Sequence, residues 1–163
     1  MRKREIKIDY LEYDSRAELP LQDRELLEAA IAAISKAYAP YSGYRVGASV
    51  LLDNGKVFSA NNQENMAFPS GTCAERAVLF YVHANYPDNT IKAIAISAVT
   101  DKFNIREAVS PCGSCRQVIA EYETKQKSPV RLILSAEKTK TIVINGINKL
   151  LPFHFEGEEL KKH

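Results

Sequence analysis

All three cysteines of this chain stand at the predicted starts of two helices, Cys73 in GTCAER and Cys112 with Cys115 in SPCGSC. Residues three apart on a helix share a face, with Cβ atoms about 5–6 Å apart, so the sulfurs of Cys112 and Cys115 both reach one metal ion. A helix start carries partial positive charge and unpaired N–H groups, which lower a thiol's pKa toward the thiolate that zinc requires. Ser110 as N-cap and Pro111 at the first helical position fix the second of these starts. Read by itself, the Cys112/Cys115 pair is equally a redox couple, half of a zinc finger, or packing. A closed structural zinc site takes four protein ligands, and the sequence has no fourth cysteine. His83 lies on the same predicted helix as Cys73 but about 15 Å farther along its axis, and His154 and His163 read as surface or packing residues. Three ligands with one position open is the arrangement of a catalytic zinc that holds water.

Two neighbours of Cys73 carry a double reading. Thr72-Cys73-Ala74-Glu75 fits a capping box, in which Glu75 closes the helix start. A carboxylate two residues after a zinc ligand is also where a general base for a metal-held water would sit, and the C-x-E spacing with P-C-x-x-C downstream favours that role. Arg76 is either an exposed helix arginine or a guanidinium that offsets the net negative charge of three thiolates on one divalent ion.

The elements that must position these residues are read from periodicity. Leu26, Leu27, Ala30, Ile31, Ile34 and Tyr38 recur at helical spacing, predicting a helix from about Asp23 that stops before Pro40. Tyr44 to Asp53 and Lys56 to Asn61 are strand-like runs around Asn54-Gly55, a strong hairpin signal. A helix from Cys73 to near Pro87, a strand over Ile91–Val99, a helix over Pro111–Glu123 and strands over Val130–Ser135 and Thr141–Ile144 complete the series. Strands alternating with such helices predict an α/β domain in which one sheet is covered on both faces. Near the N-terminus, residues 5 to 13 alternate, Ile6, Ile8 and Tyr10 against Lys7 and Asp9, the period of an edge strand or an extended arm.

With 163 residues, 45% of them hydrophobic and 26% charged, the chain suits one domain with its own core. Its 22 basic and 20 acidic residues leave a net charge of +2, and the short clusters Arg2-Lys3-Arg4 and Lys161-Lys162 read as solvated ends, not a nucleic-acid face. No apolar run reaches the length of a membrane span. The opening residues alternate where a secretory leader has an unbroken apolar stretch, so the expectation is a cytoplasmic protein, consistent with an odd cysteine count and no disulfide framework.

TCAERAVLF together with SPCGSCRQVI resembles the zinc signature of the small, all-cysteine cytidine deaminases. AYAPYSGYRVGASVLLDNGKVFSANNQEN resembles that family's opening helix end, hairpin and sugar-binding segment, and LLPFHF its C-terminal LLP-x-x-F, so the likeness runs over roughly residues 22 to 160. The resemblance implies a three-layer α/β/α sandwich with a central mixed five-stranded sheet, a single catalytic domain over residues 22–163, and an N-terminal extension over residues 1–21. It implies one zinc ion per subunit on Cys73, Cys112 and Cys115, and Glu75 as the group that takes a proton from water, passes it to N3 of cytosine and helps protonate the departing amine. The Ala74 N–H falls where the family binds the base O2, and a backbone carbonyl at Ser110 or Pro111 where it binds the amine. Asn62 and Glu64 match the pair on the ribose 3′-hydroxyl, Tyr44 an aromatic beside base and sugar, commonly Phe, and Arg76 the donor to the thiolates. Phe155 matches an aromatic that enters a neighbour's site in a homotetramer. The implied function is hydrolytic deamination of cytidine and deoxycytidine in pyrimidine salvage. The rivals are a deaminase of modified cytosine nucleosides, a nucleic-acid deaminase, and a non-catalytic zinc-stabilised binding module.

Overall fold

The computed structural model describes residues 1–157 and Leu160; His163 and the Lys161-Lys162 pair lie outside the described residues. Six strands form one sheet: β1 (Leu11–Tyr13), β2 (Arg45–Leu52), β3 (Val57–Asn61), β4 (Ile91–Val99), β5 (Arg131–Leu134) and β6 (Thr141–Asn145). Their order is β1-β6-β5-β4-β2-β3. The β4–β5 pair is parallel and the other pairs are antiparallel, so the sheet is mixed.

The expected central sheet of five strands gains a sixth at its edge. Leu11–Tyr13 pairs with β6, Leu11 opposite Val143 and Tyr13 opposite Thr141. Without it β6 would present a row of unpaired backbone groups. Of the alternating segment before it, residues 1–10 adopt no regular element and are exposed. Asp9 in that stretch is tied down by Lys149 at 2.7 Å.

Three helices cover the sheet: α1 (Leu21–Ala33), α2 (Ala74–Asn85) and α3 (Gly113–Gln126). The period-two alternation of the strands sorts their side chains. Val50, Leu52, Ile94, Ile96, Leu132 and Leu134 meet Val78, Leu79, Val82 and Ile119 of α2 and α3 on one face. Leu51, Ala93, Ala95, Ile133 and Val143 meet Leu26, Leu27 and Ala30 of α1 on the other. The result is the three-layer α/β/α sandwich that the element order predicts. The Asn54-Gly55 turn joins β2 and β3 as an antiparallel hairpin, with Gly55 at φ +80°.

Helix α1 lies unusually close on β2. Ser49, fully buried, donates its hydroxyl to the Leu26 carbonyl. At Gly47 a Cβ would stand 2.0 Å from the Ala30 carbonyl oxygen. Backbone cannot yield as a side chain does, so Gly47→Ala should cost about 3 kcal/mol or more and lower the melting temperature by roughly 6–12 °C. Thermal unfolding followed by circular dichroism checks this.

Candidate active site

The N-termini of α2 and α3 converge, and in each case the residue that caps the helix is a cysteine. Cys73 caps α2 with its carbonyl accepting from Ala77 N at 3.0 Å, and Cys112 caps α3 with its carbonyl accepting from Arg116 N at 2.9 Å. Neither helix has a side-chain cap hydrogen bond. Two expectations are thereby corrected. Helix α2 starts one residue later than a capping box requires, which puts Glu75 at its second position and leaves Thr72 outside it. Likewise Ser110 and Pro111 precede α3 outside any regular element, and the buried Pro111 turns its carbonyl to Arg116 Nε at 2.8 Å. Both cysteine sulfurs are therefore free to face one another across the gap.

The sulfurs do meet. Cys73 Sγ lies 3.9 Å from Cys112 Sγ, Cys112 Sγ lies 3.4 Å from Cys115 Sγ, and all three sulfurs fall within 4.8 Å of one another. Thiolates at about 2.3 Å from a tetrahedral zinc are about 3.8 Å apart, so this donor set fits that ion. No further histidine, cysteine or carboxylate completes the group among the described residues. His83 sits in the last turn of α2 with its ring 4.9 Å from that of Tyr122, and His154 Nε2 pairs with Glu156 at 2.9 Å. Three soft donors and an open fourth position are what remains.

Electrostatics at the cluster favour a thiolate at Cys73. The Cys73 thiol is lowered to about 5 by a hydrogen bond from Cys115 and by the Arg76 guanidinium, whose Nη2 lies 3.8 Å from Cys73 Sγ. Cys115, buried and the donor in that pair, is pushed up. Arg76 is half-buried and aimed at sulfur, which disposes of the exposed helix arginine. Glu75 is 5% exposed and has its carboxyl raised chiefly by burial.

A cavity of about 740 Å³ opens on this cluster. Tyr44, Asn62, Glu64, Ala74, Glu75 and Ser110 line it along with Cys73, Cys112 and Arg76. Ala74 is the first residue of α2, so its N–H is among those with no partner within the helix. The Tyr44 phenol is raised by burial and by nearby Glu75, which keeps its proton in place. Asn62 accepts from Val46 N at 2.8 Å and donates to the Tyr44 carbonyl at 2.9 Å. Glu64 accepts from Tyr41 N at 2.8 Å and Ser42 N at 3.3 Å through one oxygen; the Ser42 side chain first, and then these two amides, hold its carboxyl below the ordinary range. These two side chains thus shape the 41–46 segment while keeping one amide N–H and one carboxylate oxygen unspent.

Pro111 and Phe155 stand apart from the cavity wall. Phe155 is exposed, and its backbone is clasped by Gln117, which accepts from its N–H at 3.2 Å and donates to its carbonyl at 2.8 Å. Sequence reasoning missed Phe103, whose ring stacks on Tyr44 with centroids 6.1 Å apart and planes 14° apart. It lies in an irregular loop, where no periodicity marks it.

Residues 20–129 match the family model described as the cytidine and deoxycytidylate deaminase zinc-binding region. Cytidine deaminase of Sporosarcina psychrophila is 39% identical over 126 residues, which are 77% of this chain and 85% of that protein. Cytidine deaminase of Halalkalibacterium halodurans is 41% identical over 100 residues, 61% of this chain and 71% of that one. The crystal structure of cytidine deaminase from Burkholderia pseudomallei superposes with a TM-score of 0.69 at 37% identity, covering 80% of this chain and 97% of that one.

Proposed function

From the premise that this chain belongs to the cytidine and deoxycytidylate deaminase family, we propose that it hydrolyses the exocyclic amine of cytidine and deoxycytidine, releasing ammonia and the uracil nucleoside. The observation that carries this reading is the meeting of three cysteine sulfurs at two helix starts, open to a cavity in which Glu75 is the buried carboxylate.

Cys73, Cys112 and Cys115 hold one zinc ion per subunit. When bound, zinc supplies Lewis acidity that makes water a nucleophile near neutral pH. Glu75 would move both protons of the attacking water: it would take the first and deliver it to N3 of the cytosine ring, then take the second from the hydroxyl so formed on C4 and hand it to the departing amine as the C4–N bond breaks. The Ala74 N–H, positive end of the α2 dipole behind it, holds the base O2. Because the Pro111 carbonyl is engaged by Arg116, the Ser110 carbonyl on the cavity wall is the acceptor for the amine. Arg76, with Nη2 3.8 Å from Cys73 Sγ, would draw charge from that thiolate and so leave a bound zinc the stronger Lewis acid.

Sugar recognition follows from what Asn62 and Glu64 leave unspent. One amide N–H and one carboxylate oxygen form a donor and acceptor pair, the complement of a hydroxyl, which both accepts and donates. The 3′-hydroxyl is common to ribose and deoxyribose, so both nucleosides are substrates. The Tyr44 ring, with its hydroxyl protonated, flanks base and sugar. The reaction belongs to pyrimidine salvage and is assigned to the cytoplasm; no helix among the described residues is long and apolar enough to cross a membrane.

Phe155, exposed and clasped onto α3, is positioned to complete a neighbour's site in a homotetramer. Light scattering should give four times the 18.2 kDa chain mass, whereas a fully active monomer overturns the shared site. The reaction itself is tested by following loss of absorbance when zinc-replete protein meets cytidine, with uridine and ammonia identified as products. Protein that holds zinc yet leaves both nucleosides unchanged overturns the proposal.

A further inference from the structure

The loop from Thr100 to Ser110 joins β4 to α3 without regular structure. Its first residues lie against the back of the 41–46 segment, whose front lines the cavity. Asp101 Oδ2 accepts from Arg45 Nη2 at 3.1 Å, and Lys102 Nζ donates to the Tyr41 carbonyl at 3.2 Å. Lys102 runs over Gly43, whose φ of +69° favours glycine and whose missing Cβ leaves the lysine chain room to pass, since a Cβ would stand 2.8 Å from its Cε. Phe103 then stacks on Tyr44.

Phe103 does not line the nucleoside cavity. Its outer side borders a second cavity of about 440 Å³ with Thr100, Asn104, Ile105, Arg106 and Lys138, and the residue is 58% exposed. Burial in the core therefore does not explain it, and its ring contact is with Tyr44. Tyr44 is held from one side by this ring and at its carbonyl by Asn62. Removing the ring frees the Tyr44 side chain to rotate while the backbone of the wall stays in place.

Resting on the reading that the cavity binds a cytosine nucleoside, we propose that Phe103 is a positioning residue for that substrate. It backs the Tyr44 ring and so sets how firmly the wall holds base and sugar. It acts through the Tyr44 ring on the wall of the binding cavity, on ground state and transition state alike, so its effect falls on KM and not on kcat.

Steady-state kinetics of the zinc-replete enzyme test this. Phe103→Ala should raise KM for cytidine about three- to tenfold, the worth of one aromatic pair, with kcat within about twofold of the parent. Phe103→Tyr, which keeps the ring, should restore KM. In a Tyr44→Leu background Phe103→Ala should add nothing, since the pair acts as a unit. An unchanged KM in Phe103→Ala, or an undiminished penalty in the Tyr44→Leu background, overturns the inference. The chain has no tryptophan, so Phe103→Trp gives a single-tryptophan protein that reads binding without turnover. Its emission should change on adding cytidine or uridine and stay flat in the Tyr44→Leu background; a flat response with Tyr44 intact overturns the inference. A parent enzyme that leaves every cytosine nucleoside unchanged overturns the proposed function instead, and the tryptophan titration with nucleosides still decides the role of Phe103.

Discussion

Glu75→Gln protein should keep its zinc and its fold while kcat for cytidine falls by about 10²–10⁴. The amide has nearly the shape of the carboxyl but cannot accept the proton that the reaction must move. The position of Glu75 makes the test unusually clean. It stands at the second residue of α2, and Cys73, not Thr72, caps that helix without any side-chain hydrogen bond. Helix α2 therefore loses no cap when the carboxyl is replaced. Burial disfavours the charged form of Glu75, so a neutral amide relieves a desolvation cost, and the melting temperature should hold or rise. Zinc content by metal analysis, melting temperature and the cytidine absorbance assay are read together on one preparation. Retained activity would return Glu75 to a structural role. Loss of zinc along with activity would mean that the carboxyl supports the metal site and that proton transfer is not separately tested.

The same region shows what a sequence can and cannot convey. The Asn54-Gly55 hairpin and the helical period of α1 are local signals; they place the hairpin strands within one residue and the start of α1 within two, but α1 ends at Ala33 and a 3-10 turn over Ile34–Lys36 follows it, short of the end expected just before Pro40. The two cysteine motifs are legible because helix spacing dictates that Cys112 and Cys115 share a face. The helix starts themselves are not. Whether Thr72 or Cys73 caps α2 turns on which carbonyl takes the first helical bond, and Thr72 instead exchanges both of its backbone bonds with Gln63, a residue of another segment. Strand β1 is legible only in part: alternation over residues 5–13 marks an edge strand or arm, yet of these it is Leu11–Tyr13 that pair, with a β6 about 130 positions downstream, and short edge strands gain their order from such pairing. Phe103 is the extreme case, a loop aromatic whose partner Tyr44 is on another element. Residues whose role depends on contacts distant in sequence leave no periodic trace, whereas metal ligands do, because chelation demands fixed spacing.

Cys112→Ala should abolish zinc retention and cut activity below about a thousandth of the parent, a loss of several kcal/mol of Lewis-acid stabilisation. Among the three ligands this one separates metal loss from packing loss. Cys115 is 0% exposed inside the core, so truncating it opens a cavity as well as the metal site. Cys112 is exposed, and its removal costs little beyond the ligand. An ion that binds only the folded state stabilises it by mass action. Stripping the parent with a chelator should therefore lower its melting temperature, and added zinc should restore it. Cys112→Ala should melt with the stripped parent and ignore added zinc, because two sulfurs no longer tie the start of α2 to the start of α3 as three do. The sandwich itself should survive in both, since its two apolar faces pack without the ion. Stoichiometric zinc and full activity in Cys112→Ala would place the metal elsewhere. A stripped parent that still deaminates cytidine would separate the chemistry from the sulfur cluster altogether, and the convergence of two cysteine-capped helix starts on three thiols would then need another ligand to account for it.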